Sequence, residues 1–232
     1  MLQKSDMDIR ITSLLEGAAA AEGTVVIVDV YRAFTTAAVA FARGVKKIVL
    51  VAEVADAIKA KQAGQGDFTA GEVDGKKPAG FDFGNSPYEL ACADVAGKTM
   101  ILSTRAGVVG AMGATKAERL YGCALVNAAA TARAVLSESP KLVTIVAMGW
   151  AGKTRSDEDE QCALYLRNLL QGRQPDREAV RSLVLSGAES QKFGDPAQPH
   201  FHREDRNLAV NIDGIPVPVR LVRKDDLIIA EL

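Results

Sequence analysis

The sequence has little that would mark a secreted, membrane-spanning or disulfide-linked protein. Its three cysteines, Cys92, Cys123 and Cys162, are an odd number, lie far apart and form no C-x-x-C pair. They fit reduced thiols better than a disulfide framework or a zinc knuckle. No apolar run approaches the roughly 20 residues that a membrane span needs. The charged N-terminus, MLQKSDMDIR, has no apolar core of a secretory signal. We therefore expect a cytoplasmic protein with no membrane partner.

An excess of charge of one sign is also absent. The 28 Lys and Arg residues against 29 Asp and Glu give a net charge of −1, which argues against the basic face that nucleic-acid binding requires. A hydrophobic content of 48% and a charged content of 25% are typical of a soluble globular protein. Since we find no repeat, low-complexity segment or linker, we expect one domain over residues 1–232.

The pattern along the chain alternates between strands and helices. Residues 24–30, TVVIVDV, predict a strand buried on both faces. Further strands are predicted at 47–51, 69–73, 98–103, 117–122 and 141–148, and helices at 35–43, 53–63, 88–93, 106–112, 127–137, 156–172 and 177–187. This alternation is typical of an α/β fold, here a three-layer α/β/α domain with a mostly parallel central sheet. For residues 207–232 we expect an irregular, partly β region, with Pro216 and Pro218 at sheet edges or bulges.

Polar residues follow four of these predicted strands, at positions 29–32, 71–74, 103–107 and 149–159. In open α/β sheets ligands bind beyond the carboxyl ends of the strands. The four clusters supply the carboxylates Asp29, Glu72, Asp74, Asp157, Glu158 and Asp159, the arginines Arg32 and Arg105, and the hydroxyls of Ser103 and Thr104; the hydroxyls of Thr35 and Thr36 come shortly after the first cluster. Carboxylates suit Mg²⁺, and arginines suit anionic groups. The sequence therefore predicts a metal-assisted reaction on an anionic substrate.

Each cluster also has a purely structural explanation. Asp29 could cap a turn at a strand end. The segment Ser156-Asp157-Glu158-Asp159 has the form of a capping box at a helix start. The two arginines could be surface charges.

A nucleotide-binding loop is an alternative for residues 147–154. Their sequence, AMGWAGKT, approximates the phosphate loop G-x-x-x-x-G-K-[ST] between a predicted strand and a predicted helix. The acidic run that follows would repel a triphosphate, and this weakens the alternative.

Four blocks of the sequence resemble, in the same order, the 2-phosphosulfolactate phosphatase family. They are VVIVDVYRAFTTAAVAFARGVKKI, GEVDGKKPAGFDFGNSPYEL, LVNAAATARAV and VAMGWAGKTRSDEDEQCAL, and they span about residues 24–170. The resemblance implies a Mg²⁺-dependent acid phosphatase that removes phosphate from (2R)-phospho-3-sulfolactate, on the route toward coenzyme M. One loop departs from the family pattern, because Ser103-Thr104-Arg105-Ala106-Gly107 stands where the family usually has T-T-N-G-T.

With this resemblance, we expect a small anionic phosphorylated substrate and the following roles. The catalytic residues are Asp29, Arg32 and Glu72; the Mg²⁺ ligands are Asp29, Glu72, Glu158 and Asp159; and the substrate-binding residues are Thr35, Thr36, Asn85, Ser103, Thr104, Arg105, Gly149 and Gly152. Asp29 could instead be the nucleophile of an aspartyl-phosphate route. Because Arg105 lies in the divergent loop, we expect it to set the preference among anionic substrates.

Two broader questions stay open at this point. A diverged binding or regulatory protein on the same fold is an alternative to an enzyme. The oligomeric state is not fixed by the sequence, and a homo-oligomer is one expectation.

Overall fold

The computed structural model describes residues 7–224 and 227–232. The strands are β1 (Asp8–Ser13), β2 (Gly23–Val28), β3 (Lys47–Leu50), β4 (Phe68–Gly71), β5 (Phe83–Gly84), β6 (Thr99–Ser103), β7 (Ala117–Cys123), β8 (Leu142–Ala147), β9 (Val219–Lys224) and β10 (Leu227–Glu231). The helices are α1 (Leu14–Ala20), α2 (Ala33–Ala42), α3 (Val54–Gln62), α4 (Pro87–Cys92), α5 (Gly107–Gly113), α6 (Ala128–Ser137), α7 (Asp157–Leu170), α8 (Arg177–Ser186) and α9 (Arg203–Ala209). None of the helices in the described residues is long and apolar enough to cross a membrane.

All ten strands of the described residues belong to one sheet, in the order β1-β8-β2-β7-β9-β10-β3-β6-β4-β5. Two groups of parallel strands, β1-β8-β2-β7 and β3-β6-β4-β5, flank the antiparallel pair β9 and β10. The predicted α/β class with a mostly parallel sheet covered by helices is confirmed.

The two parallel groups run in opposite directions within the sheet. Three successive pairings between them, β7 with β9, β9 with β10 and β10 with β3, are antiparallel. Residues that follow strands of both groups nevertheless line the same pocket. The carboxyl ends of the two groups therefore face each other across that pocket, which differs from the single sheet edge that the sequence predicted.

The C-terminal strands lie at the centre of the sheet, not at its edge. Pro216 and Pro218 precede β9 and lie outside it, so every residue of β9 keeps the backbone N–H that a central strand needs. Val219 and Ile228 are fully buried there. The expectation that these prolines lie at sheet edges or bulges was wrong, because the strand begins after them.

Some short elements have no counterpart among the predictions. The edge strand β1 mixes polar and apolar residues and is only partly buried, and the two-residue strand β5 lies between the strand predicted at 69–73 and the helix predicted at 88–93. Asn127 lies directly before α6, at the N-cap position, and its Oδ1 accepts the N–H of Ala124 at 2.9 Å. Its side chain therefore stabilises the preceding turn and does not cap the helix.

The core around β2 and α2 fixes the segment that joins them. All six residues of β2 are buried, as are residues 33–41 of α2. Asp29 and Arg32 lie between these two elements and are only 4% and 3% exposed. A side chain on such a rigid connection has a well-defined position.

Candidate active site

A narrow pocket, here called the inner pocket, lies where the carboxyl ends of the two strand groups meet. Its free volume is about 40 Å³. Residues from all four predicted clusters line it, namely Asp29, Arg32, Glu72, Asp74, Arg105, Gly149 and Glu158, and Asn85 joins them. The structure thus brings together side chains that are up to 129 positions apart in the chain.

Asp29 links the first cluster to the third. Its Oδ1 accepts the N–H of Ala33 at 3.0 Å, and its Oδ2 accepts the N–H of Gly107 at 2.8 Å. The pKa of the Asp29 carboxyl is raised to about 6, chiefly by burial and to a lesser extent by the charge of Glu72, while the two N–H groups oppose the shift. Asp29 is therefore more than a local turn cap, since one of its bonds reaches the loop after β6.

Glu72 connects the loops after β4 and β6. Its Oε1 accepts the backbone N–H of Arg105 at 2.8 Å, and its Oε2 accepts that of Gly75 at 2.9 Å. Both oxygens are thus oriented by the backbone, and the carboxylate faces Asp29 across the inner pocket.

The acidic start of α7 contributes two carboxyl groups with different surroundings. Asp159 accepts the N–H of Val30 at 2.7 Å and that of Gly149 at 2.8 Å, so it ties the loops after β2 and β8 together behind the pocket. Glu158 lines the inner pocket itself. Burial raises the pKa of Glu158 to about 7 and that of Asp159 well above its usual range, and the charge of Asp29 adds to both shifts.

The capping-box interpretation of residues 156–159 was wrong. Ser156 precedes α7, but its side chain makes no capping hydrogen bond to the described residues. Asp159 points away from its own helix to Val30 and Gly149. The motif match arose because acidic residues at a helix start satisfy the same pattern whether they cap the helix or reach across to another loop.

The carboxyl groups of the pocket agree in chemistry and charge with a divalent cation. Asp29, Glu72 and Glu158 supply only oxygen atoms, the ligands that Mg²⁺ prefers. Burial is the main cause of the raised pKa of Asp29 and Glu158, and the smaller contribution from mutual repulsion is the kind that a bound cation relieves. In residues 7–224 and 227–232, however, no three His, Cys, Asp or Glu side chains converge closely enough to hold a metal ion. The ligand set of Asp29, Glu72, Glu158 and Asp159 stays a prediction.

Arg32 is a buried part of the pocket wall and not a surface charge. Its Nη1 donates to Asp205 Oδ2 at 2.8 Å and to the carbonyl of His200 at 2.9 Å, and its Nη2 donates to the carbonyl of Gly75 at 3.0 Å. The ring of Phe201 lies 4.9 Å from the guanidinium carbon. These contacts fix the position of Arg32 and join the β2–α2 connection to the C-terminal helix α9.

Arg105 lies at the rim of the inner pocket. Its guanidinium donates to the carbonyl of Ala52 and lies 3.5 Å from Glu53 Oε2. Its side chain is 27% exposed. Compared with Arg32, this cation is less enclosed by protein and more open to a ligand.

Two of the predicted hydroxyls on α2 lie in the wall behind the pocket. Thr35 Oγ1 donates to the carbonyl of Val30 at 2.7 Å, and Thr36 Oγ1 donates to Asn85 Oδ1 at 2.8 Å. Thr36 thereby orients Asn85, which does line the pocket. A role of Thr35 and Thr36 in binding substrate stays a prediction.

The remaining predicted substrate-binding residues shape the surrounding loops. Ser103 Oγ donates to the carbonyl of Ala52 at 3.2 Å, and Thr104 Oγ1 accepts the N–H of Val108 at 3.2 Å. Gly152 packs against Leu15, whose Cγ would lie 2.6 Å from an added Cβ. These contacts are structural, and direct binding of a substrate by these three residues stays a prediction.

Aromatic residues of the site were missed. Tyr31, Trp150 and Phe201 line the inner pocket beside the charged groups. Tyr31 and Trp150 fall inside two of the predicted clusters, so the strand-end rule would have included them if it had not been limited to polar residues. Phe201 comes from a loop before α9 that follows no strand, and the sequence carried no signal for it.

The geometry of the loop after β8 argues against a nucleotide phosphate site. The N–H of Gly149 is already bound by Asp159, and Lys153 is exposed. The first turn of α7, directly after the loop, holds four acidic residues. These charges oppose the dipole-assisted binding of phosphate on which such loops depend.

Comparison with known proteins identifies the family. The model of the 2-phosphosulpholactate phosphatase family matches residues 9–197. The chain belongs to this family. The resemblance found in the four sequence blocks is thereby confirmed.

Curated relatives from several bacteria bear the name "Probable 2-phosphosulfolactate phosphatase". The one from Bacillus subtilis (strain 168) is 34% identical over 184 residues, which are 78% of each chain. The one from Gloeobacter violaceus is 38% identical over 170 residues, or 71% of each chain. The one from Parasynechococcus marenigrum is 38% identical over 148 residues, which are 63% of this chain and 61% of the relative.

Proposed function

We propose that this protein is a phosphoric monoester hydrolase whose substrate is 2-phospho-3-sulfolactate, which it converts to sulfolactate and phosphate. The observation that carries the proposal is the coincidence of family membership over residues 9–197 with a pocket lined by carboxylates from three strand-end loops and by Arg105 from a fourth. The free volume of about 40 Å³ suits a phosphoryl-sized group. A family name alone would leave the site undefined, and the pocket alone would leave the substrate undefined.

We further propose Mg²⁺ as the cofactor, held by Asp29, Glu72 and Glu158, with Asp159 as the fourth predicted ligand. A divalent cation, when bound, polarises a phosphoryl oxygen and offsets negative charge. Asp29 and Glu72 would present oxygens already oriented by backbone N–H groups, which reduces the reorganisation that binding requires.

The protein's own residues would bind and orient the substrate. Arg105, at the rim, would bind the phosphoryl oxygens, and Asn85 would donate a hydrogen bond from its amide nitrogen, because its Oδ1 already accepts from Thr36. Arg32 would keep the wall in place through its bonds to Asp205, His200 and Gly75. Asp29 would act either as a metal ligand or as the nucleophile of an aspartyl-phosphate route, and both remain proposals.

The proposal extends to the domain organisation and the biological setting. We propose that residues 1–232 form one domain, because the sheet includes strands from both ends of the described chain. We also propose a cytoplasmic enzyme on the route toward coenzyme M. Its support is the family resemblance and the three free cysteines.

The test is release of inorganic phosphate from 2-phospho-3-sulfolactate and a panel of other small phosphomonoesters. We expect release with Mg²⁺, loss with a chelator and recovery when Mg²⁺ is restored. No release from any phosphomonoester would overturn the phosphatase and favour the diverged binding protein. Full release in chelator would keep the phosphatase and overturn the metal.

A further inference from the structure

The inner pocket is much narrower than the cavity that adjoins it, with a free volume of about 40 Å³ against about 500 Å³. 2-Phospho-3-sulfolactate carries a sulfonate and a carboxylate in addition to the phosphoryl group. With the phosphoryl group in the inner pocket, the rest of the substrate extends out of it.

A second cavity continues from the inner pocket. This outer groove has a volume of about 500 Å³ and shares Asp74, Trp150 and Phe201 with the inner pocket. Its other side chains include Lys76, Lys192 and His200. A substrate that leaves the inner pocket past Trp150 and Phe201 therefore enters a groove with two lysines.

Lys76 is held in position by its backbone. Residues 73–76 form a tight turn in which Val73 and Lys76 exchange N–H···O bonds of 3.0 and 3.1 Å. Gly75, inside the turn, donates to Glu72 and accepts from Arg32. Phe201 packs so closely that its Cζ would lie 2.6 Å from a Cβ added to Gly75. The Lys76 side chain is exposed and, among the described residues, has no carboxylate oxygen within 4.0 Å of its Nζ.

Lys192 provides the second positive charge of the groove. Its Nζ lies 3.9 Å from the centre of the Trp150 ring and 2.6 Å from Glu189 Oε2. Burial lowers the pKa of His200, and the charges of Lys76 and Arg32 lower it further. Both effects disfavour a charged His200, and the positive charge of the groove comes from the lysines.

The two cavities differ in charge. The inner pocket has four carboxylates, those of Asp29, Glu72, Asp74 and Glu158, beside the guanidinium groups of Arg32 and Arg105. The outer groove shares Asp74 with it and adds the two lysines. The guanidinium of Arg32 is already paired with Asp205. A second anion of the substrate is repelled by the inner pocket and attracted by the lysines of the groove.

We propose that the outer groove is the subsite for the second anionic group of the substrate, a sulfonate or a carboxylate, with Lys76 as its main contact and Lys192 as a further one. This inference rests on the proposed phosphatase function. It also makes Lys76 the specificity-determining residue of the site in place of Arg105, which lies in the loop that departs from the family pattern.

The experiment compares kcat and KM for three phosphomonoesters. They are 2-phospho-3-sulfolactate, 2-phospholactate, which lacks the sulfonate, and glycerol 2-phosphate, which has neither anion. The variants are Lys76→Ala, Lys192→Met and, as a matched control, Lys77→Ala. Lys77 neighbours Lys76, but its Nζ lies 3.4 Å from the carbonyl of Asp82, away from the groove.

We expect Lys76→Ala to raise KM for 2-phospho-3-sulfolactate about tenfold, the scale of one exposed charge-assisted contact. The kcat of this variant should stay within about twofold of the wild-type value, and its KM for glycerol 2-phosphate should not change. If KM for 2-phospholactate rises equally, the groove binds the carboxylate. If KM for 2-phospholactate is unchanged, the groove binds the sulfonate. Lys192→Met should change KM in the same substrates, and Lys77→Ala should change none.

Two results would overturn the inference while leaving the phosphatase intact. One is an unchanged KM in both groove variants. The other is an equal rise in KM for all three substrates, since glycerol 2-phosphate has no second anion to bind. If the wild-type protein hydrolyses none of the three, the proposed function itself fails, which is a distinct outcome.

Discussion

Arg32 and Asp205 form an ion pair in which Nη1 and Oδ2 are 2.8 Å apart and the side chains are 3% and 0% exposed. Asp205 also accepts hydrogen bonds from Ser86 Oγ at 2.7 Å and from the N–H of Tyr88 at 2.9 Å. One carboxylate thus joins the pocket wall, the start of α4 and the helix α9. Asp205 lies beyond residues 9–197, the segment that the family model matches.

The first prediction concerns this ion pair. Asp205→Asn removes the charge that balances a buried guanidinium, and breaking such a pair typically costs about 3–5 kcal/mol. We expect the free energy of unfolding, measured in urea, to fall by an amount of that order. Asp56→Asn, which removes an exposed pair with Lys59, is the control and should change it by less than about 1 kcal/mol. Equal effects of the two variants would contradict the role of Asp205.

The second prediction concerns Gly149. It has a φ of +65°, and an added Cβ would lie 2.1 Å from the carbonyl oxygen of Thr154. Gly172 has a φ of +73° and no neighbouring atom within 4 Å. Gly172→Ala should therefore cost only the backbone strain, about 1–2 kcal/mol. Gly149→Ala should cost more and also lower kcat, because the loop that holds Asp159 must move. Similar melting temperatures for the two variants would show that the loop absorbs the clash.

Most of the sheet, and which residues gather at the site, could be predicted from the sequence. The buried strands are short runs of β-branched residues, such as residues 24–28, and polar residues follow them directly. Asp29, Glu72, Arg105, Gly149 and Glu158 were all predicted by this rule, and all line one pocket.

What could not be predicted depends on long-range packing. β9 and β10 lie between the two parallel groups. Their position depends on pairing with strands that are distant in the chain, so no local sequence pattern indicates it. Phe201 and Asp205 lie on a loop and a helix, so the rule about strand ends does not reach them. Asp159 matched a capping motif because the sequence does not show which groups it binds. Val30 lies 129 positions earlier in the chain, and Gly149 lies in the loop that precedes α7.

The third prediction links stability to pH and metal. Burial raises the pKa of Asp29 from 3.8 to about 6 and that of Glu158 from 4.5 to about 7. The folded protein therefore binds these protons more tightly than the unfolded chain does. Without metal, the free energy of unfolding should fall as the pH rises from about 3 to 7, by about 3 kcal/mol for Asp29 alone.

Mg²⁺ should reverse this loss, because it binds the ionised carboxylates. We expect it to raise the melting temperature clearly at about pH 8 and little at about pH 5. Asp29→Asn should show a shallower pH dependence without metal. A melting temperature that is independent of Mg²⁺ at both pH values would contradict the proposed site.

The fourth prediction concerns Asp29 in the reaction. Asp29→Asn preserves the size of the side chain but removes its charge and one of its two acceptor oxygens. We expect kcat to fall by about two orders of magnitude or more, the scale of a lost charge-stabilising group. Circular dichroism should show a retained fold. A near-normal kcat would mean that Asp29 serves only to join the loops through Ala33 and Gly107.

The fifth prediction concerns Arg105. Its guanidinium is at the rim of the inner pocket, close to Glu53 and separate from the lysines of the outer groove. We propose that Arg105 contacts the phosphoryl group, which all the substrates share. We therefore expect Arg105→Ala to lower kcat/KM by the same factor for every phosphomonoester. A charge-assisted contact of about 2 kcal/mol corresponds to roughly thirtyfold in kcat/KM. Glu53→Gln, which removes the neighbouring carboxylate charge and keeps the guanidinium, should not cause this loss. Arg105→Ala could instead change the ratio of kcat/KM between sulfonated and unsulfonated substrates. Arg105 would then set specificity, as its place in the divergent loop suggested. The assignment of specificity to Lys76 would be wrong.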